Sequence, residues 1–175
     1  RPAPQFESRT MTAVVVDENV PLVANGKHAA ASDRCVGACI DALLDARSKV
    51  VLMDDQYRIF AKYRRNLSQS GQPGAGDAFL KWLWNNQANP AHCRLVPIAP
   101  LSGDKPDFAE FPQTPELSRF DPDDRIFVAV AIAAGTESEV LNAADSDWWH
   151  FRSALKQHGV SVRFLCPELM DDRRR

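Results

Sequence analysis

The chain has 175 residues, 45% of them hydrophobic and 25% charged, and its formal net charge is −2. This length and balance fit one domain with a sizeable core and exclude wholesale disorder. A net charge so near zero argues against a large basic face for gripping duplex DNA, and no apolar run reaches the roughly 18 residues of a membrane span.

The ends of the chain differ from its interior. Residues 1–10 are expected to be a cloning remnant or a disordered segment, because Met11 directly precedes the first strand-like run. Residues 11–168 are predicted to form a single domain, and residues 169–175 a charged tail.

Apolar runs and apolar periodicity predict the elements in chain order. The predicted strands cover residues 12–17, 49–53, 94–98, 139–144 and 160–165. The predicted helices cover residues 35–47, 56–67, 77–84, 124–134 and 148–158, with loops at 21–32, 68–76 and 99–123. Strands that alternate with helices indicate right-handed βαβ units. We therefore predict an α/β fold of three layers, with a mostly parallel central sheet between two layers of helices.

Four cysteines, at positions 35, 39, 93 and 166, show no zinc-binding spacing. Cys35 and Cys39 are expected to share one face of a helix, because they are four residues apart. All four are expected to be buried thiols in a reducing compartment, which favours a cytoplasmic location.

Carboxylates follow three of the predicted strands. Asp17 ends the first, Asp54 and Asp55 end the second, and Asp145 follows the fourth with Asp147 two residues further on. Parallel strands present their C-terminal ends along one edge of a sheet, where ligands bind. A cluster of oxygens at that edge is a site for a hard cation such as Mg²⁺ or Mn²⁺.

A further group of acids, Asp121, Asp123 and Asp124, opens the predicted helix 124–134. One acid is explained by helix capping and the helix dipole, but a triplet exceeds what a cap requires. Like charges held close together raise each other's pKa, so without a cation such a cluster would destabilise the fold. The pattern favours a metal site that includes Asp124.

The segments around these acids resemble the PIN-domain family of small α/β nucleases. They are residues 14–20 (VVVDENV), 124–131 (DRIFVAVA) and 141–149 (LNAADSDWW), and the resemblance extends from about residue 12 to residue 167. It implies an endoribonuclease that holds Mg²⁺ or Mn²⁺ and hydrolyses RNA, expected to be single-stranded. It also allows for an antitoxin or other regulatory partner and for a homodimer.

The resemblance assigns roles to single residues. Asp17, Asp124 and Asp145 match the catalytic acids that hold the metal, and Asp147 matches a supporting acid beside them. The family's remaining acid, often a Glu, lies on the helix after the second strand. This chain has Lys62 in that place, and Asp55, or Asp54 before it, is the expected substitute ligand.

Lys62 leaves two alternatives open. A lysine that points into the site would neutralise charge and compete with metal, which would leave a catalytically weakened PIN-like subunit that binds nucleic acid or regulates a partner. Helical spacing instead predicts that it points outward and joins Arg64 and Arg65 as a phosphate contact. Trp82 and Trp84 are candidates for stacking on bases, although helical spacing favours a place in the core for Trp82.

A third function comes from a different class of protein. A phosphoacceptor receiver domain also has acids after its first strand. In this interpretation Asp54 would accept the phosphoryl group, and Lys105 would be the lysine that such domains carry. The irregular, proline-rich surroundings of Lys105 argue against it.

Overall fold

The computed structural model describes residues 12–135 and 137–170. The predicted remnant at 1–10 and the last five residues of the predicted tail lie outside the described residues. The strands are β1 Ala13–Val16, β2 Val50–Asp54, β3 Cys93–Val96, β4 Ser138–Asn142 and β5 Ser161–Phe164. The helices are α1 Asn19–Ala24, α2 Asp33–Ala46, α3 Arg58–Arg64, α4 Ala75–Asn86, α5 Arg125–Ala134, α6 Ser146–His150 and α7 Arg152–Gln157.

Five strands in the described part of the chain form one parallel sheet in the order β3-β2-β1-β4-β5. Helices flank this sheet, which confirms the predicted α/β fold with three layers. The strand order reverses between β1 and β4, because the chain moves outward to β3 and then returns to the other side of β1. In open α/β sheets, ligands bind at the C-terminal ends of the strands beside such a reversal.

The central elements are apolar on all sides because they are packed on all sides. All four residues of β1 are buried, and so are residues 126–131 of α5, which crosses β1, β2 and β4. Such continuous burial suits the β-branched run of β1 and the uniformly apolar run of α5. Both elements lead directly to or from an acid, so a rigid core holds Asp17 and Asp124.

Three predicted segments differ in detail from the structure. The predicted loop 21–32 begins within α1, because Pro21 falls in the first turn of that helix, where no backbone donor is needed. The predicted helix 148–158 is divided between α6 and α7 at Phe151, and Gly159 follows it with the positive φ of 80° expected at a C′ position. The predicted loop 99–123 is irregular, yet it buries aromatic side chains in the core, including Phe111 and Phe120.

The prediction of four free thiols is wrong for two of them. Cys35 and Cys166 form a disulfide. Cys35 lies in the first turn of α2, and Cys166 is the second residue after β5. Cys39 and Cys93 are buried free thiols. The pairing joins positions 131 residues apart, so local spacing could not reveal it. The cytoplasmic location predicted from four thiols loses that support.

The longest described helix has 14 residues, and none is long and apolar enough to cross a membrane.

Candidate metal centre

Three acids from distant parts of the chain meet beside the reversal in strand order. Asp17 directly follows β1, Asp124 directly precedes α5, and Asp145 is the N-cap of α6, shortly after β4. One carboxylate oxygen from each residue lies within 4.8 Å of the other two. The structure therefore brings together the three acids that the sequence predicted, in an arrangement that can hold a metal ion.

Two of these carboxylates are removed from water, since the exposed fractions of Asp17 and Asp124 are 1% and 5%. The Oδ1 atom of Asp17 accepts a hydrogen bond of 3.1 Å from the backbone N–H of Asn19. Its buried Oδ2 atom has no hydrogen-bond partner. The Trp148 indole slightly lowers the pKa of Asp17 but makes no well-formed hydrogen bond. A buried carboxylate oxygen without a partner is costly, and a cation would satisfy it.

Burial also changes the acidity of the centre. It raises the pKa of Asp17 to about 7, with the charges of Asp145 and Glu18 adding to the effect and the Asn19 N–H opposing it. Burial likewise raises the pKa of Asp124 to about 10, assisted by the charge of Asp17 and by a hydrogen bond with Asp145. Without a cation, Asp124 therefore keeps a proton at neutral pH.

A pair of asparagines fixes the loops that carry the acids. The side-chain Nδ2 of Asn19 donates to Oδ1 of Asn142 across 2.9 Å, and its Oδ1 accepts from the backbone N–H of Ala143. Asn142 in turn donates to the backbone carbonyl of Asp145 at 3.0 Å. From the sequence alone, both asparagines are as consistent with turn residues as with side chains that orient water or ligands. The available signal was an amide at the end of a buried strand, where a fully buried side chain needs partners.

Asp147 occupies a supporting position beside the three acids. Its Oδ2 accepts from the backbone N–H of Asp121 at 2.9 Å, and its own N–H donates to Oδ1 of Asp145. Burial raises its pKa. Its carboxylate is not among the three that converge. Its hydrogen bonds instead join the start of α6 to the turn before α5.

The two acids at the end of β2, Asp54 and Asp55, do not supply a fourth carboxylate to the centre. Asp54 is fully buried, and its oxygens accept the backbone N–H groups of Gln56, Arg58 and Ile59. It therefore caps α3, and both of its oxygens are engaged in hydrogen bonds. The predicted ligand Asp55 does not converge with the three acids of the centre either.

The prediction that Lys62 points outward is wrong. Only 8% of this residue is exposed, because it lies on the same buried face of α3 as Ile59 and Tyr63. Its Nζ is 3.8 Å from Oε1 of Glu18, the neighbour of Asp17 in the chain, and 5.9 Å from the ring centre of Phe127 on α5. Lys62 thus points toward the edge of the acidic centre.

Arg64 and Arg65 are exposed, in agreement with the prediction that they point outward. Whether either residue contacts a phosphate stays a prediction. Arg64 is the last residue of α3, and Arg65 is its C-cap.

Fold and side chains together define an α/β protein with a cluster of three acids, beside the reversal of its sheet, that could hold a metal ion. No protein-family model, curated protein or solved structure matches the chain.

Proposed function

We propose that the protein is a metal-dependent endoribonuclease of the PIN type, with Asp17, Asp124 and Asp145 as the acids that hold the metal. The observation that carries this proposal is the convergence of their three carboxylate oxygens within 4.8 Å. The unpaired, buried Oδ2 of Asp17 supports it, because a catalytic cation would fill the missing contact.

The donor set suits a hard cation. Carboxylate oxygens are the ligands that Mg²⁺ and Mn²⁺ prefer, and no cysteine or histidine belongs to the described cluster. A cation bound here would lower the pKa of a coordinated water and neutralise charge on the phosphate that is attacked. No side-chain nucleophile is needed for this chemistry.

The chain's own residues prepare the centre. Asp124 would release its proton when the centre is loaded, because ligand carboxylates must be ionised. The Asn19–Asn142 hydrogen bond keeps the loops of Asp17 and Asp145 in place. Outer partners of this kind orient ligands and set metal affinity. Glu18 offsets the charge of Lys62, so the lysine is held at the rim of the centre.

A matched pair of variants tests the proposal. Asp124 is buried in the centre, whereas its neighbour Asp123 is exposed. We expect wild-type protein and Asp123→Asn to cleave a single-stranded RNA oligomer with Mn²⁺, and Asp124→Asn to leave it intact. Equal loss of cleavage in both variants, or cleavage that survives in Asp124→Asn, would contradict the assignment.

A catalytically weakened nucleic-acid-binding subunit is the second candidate, and the inward position of Lys62 favours it. Wild-type protein that binds RNA and leaves it intact after long incubation with Mn²⁺ would select this alternative. The receiver hypothesis has less support, since the carboxylate of its acceptor Asp54 is fully buried and engaged in capping α3.

A further inference from the structure

A groove of about 500 Å³ lies on the side of α3 that faces away from the acidic centre. It is lined by Tyr57, Phe60, Ala61, Arg64, Trp84 and Gln87. Two of its aromatic side chains are among the large hydrophobic residues that the fold leaves exposed, at 42% for Trp84 and 37% for Tyr57. Exposed aromatic rings grouped in one concave surface are typical of a binding site.

The rings form a platform with a buried base. Phe60 is 3% exposed, and its ring centre lies 4.9 Å from that of Trp84. The ring of Tyr57 lies 6.4 Å from Trp84 and is tilted by 58° against it. Phe60 therefore supports Trp84 from the core while one side of the indole stays open to a flat ligand.

The backbone at Tyr57 is held in an uncommon conformation. Its φ of 57° and ψ of 26° are left-handed, which is rare for a bulky residue and persists only where the surroundings enforce it. Asp54 enforces it, since its carboxylate accepts the N–H groups of Gln56 and Arg58 on either side of Tyr57. The acid that was a candidate ligand thus positions the aromatic residue instead.

Helix α3 separates the groove from the acidic centre. Lys62 extends from one face of the helix to Glu18, beside Asp17, while Ala61 and Arg64 line the groove on the other face. An α-helix is about 10–12 Å wide with its side chains, a span that a few nucleotides of single strand can cover. No described residue that lines the groove is acidic, and Arg64 supplies its positive charge. The groove therefore complements a ligand that has flat rings and phosphates.

We propose that this groove binds the unpaired bases of single-stranded RNA, with stacking on Trp84 and Tyr57 and a phosphate contact from Arg64. The identity of the ligand as RNA rests on the proposed nuclease function. Base stacking on aromatic side chains tolerates any base, and a guanidinium beside the rings binds the backbone. Arg64 lines the groove, whereas its neighbour Arg65, which is also exposed, does not.

The test is a binding titration without cleavage. A fluorescent single-stranded oligouridylate is titrated with the full chain in chelator, and its anisotropy gives the affinity. We expect Trp84→Ala to weaken binding about tenfold and Trp84→Phe to retain most of it. We expect Arg64→Gln to reduce the slope of log affinity against log salt by about one, and Arg65→Gln to leave it unchanged.

An abasic oligomer of the same length is the matched ligand control. It keeps the phosphates and lacks the rings, so it should bind wild-type protein about as weakly as oligouridylate binds Trp84→Ala. Equal affinity for both ligands would overturn the stacking role. Equal effects of the Arg64 and Arg65 substitutions on the salt slope would overturn the phosphate contact of Arg64. A dimer that depends on Trp84, together with no RNA affinity, would assign the groove to a second copy of the chain.

The binding and cleavage assays fail independently. RNA cleavage by wild-type protein with unchanged binding in Trp84→Ala would overturn the groove alone. Binding that depends on Trp84, with no cleavage in Mn²⁺, would overturn the nuclease function and leave the groove in place.

Discussion

The Nδ2 atom of Asn19 donates a hydrogen bond of 2.9 Å to Oδ1 of Asn142, which joins the chain after β1 to the end of β4. These residues are 123 positions apart in sequence and lie on opposite sides of the reversal in strand order. The bond spans the place where Asp17 and Asp145 approach each other. It therefore fixes the separation of two carboxylates that would repel one another if both were ionised.

Asn142→Ala is expected to lower both stability and metal affinity. The substitution leaves a half-buried donor of Asn19 and a half-buried acceptor of Asp145 without these partners, which costs about 1 kcal/mol of unfolding free energy. Loss of an outer partner should also weaken Mn²⁺ binding about 10–100-fold. Urea unfolding and calorimetric Mn²⁺ titration measure the two effects. Asn85→Ala, at an exposed position, is the control and should change neither.

The metal-free protein is expected to lose stability as pH rises from 5 to 8. The pKa of Asp17 is about 7 in the folded protein against 3.8 ordinarily, so the folded state binds more protons than the unfolded chain between these values. The contribution of Asp17 to stability is therefore fully present below about pH 4 and is lost as pH rises through 7. The pKa of Asp124, at about 10, extends the decline. Thermal unfolding in chelator at several pH values measures it.

Asp124→Asn and added metal are the controls for this pH dependence. The amide cannot ionise, so the variant should show a shallower decline. Mn²⁺ at about 100 times its dissociation constant should raise the wild-type unfolding free energy at pH 8 by about 2.7 kcal/mol. Stability that is independent of pH in chelator would contradict the raised pKa values.

Lys62→Glu is expected to strengthen Mn²⁺ binding and to weaken the metal-free fold. The lysine ammonium is 3.8 Å from Glu18 at the rim of the centre, so the substitution replaces a positive charge there with a negative one. The new carboxylate would repel Glu18 until a cation neutralises the pair. Calorimetry and thermal unfolding measure the two changes. Arg65→Glu makes the same charge change on the exposed side of α3 and should leave the Mn²⁺ affinity nearly unaltered.

Removal of the disulfide by Cys166→Ala is expected to lower the unfolding free energy by about 2–5 kcal/mol, because the bond closes a loop of 131 residues. Cys35→Ala should lower the unfolding free energy by less than Cys166→Ala does when oxidised glutathione is present. The Cys39 Sγ lies within 4.8 Å of the Cys166 Sγ and can form the replacement bond. Peptide mapping without reductant identifies the pair. Cys93→Ala is the control and should leave the native disulfide intact.

Much of the fold was predictable because it depends on local patterns. The valine run of β1, the apolar α5 and the helical spacing of α2 indicate their elements within a few residues, since burial on all sides or on one face leaves a period in the sequence. The convergence of Asp17, Asp124 and Asp145 was also predictable. Each stands where a buried element begins or follows soon after a strand ends, and parallel strands align those ends.

The sequence alone thus determined an α/β sheet with acids at one edge. Only the tertiary structure shows the contacts between side chains that are far apart in the sequence. It turned Lys62 inward to Glu18, engaged Asp54 as the cap of α3, paired Asn19 with Asn142 and joined Cys35 to Cys166. The direction of a side chain on a helix, and the partner of an amide, carboxylate or thiol, follow from which distant group stands opposite in three dimensions. The local hydrophobic period of the sequence does not show which distant group that is.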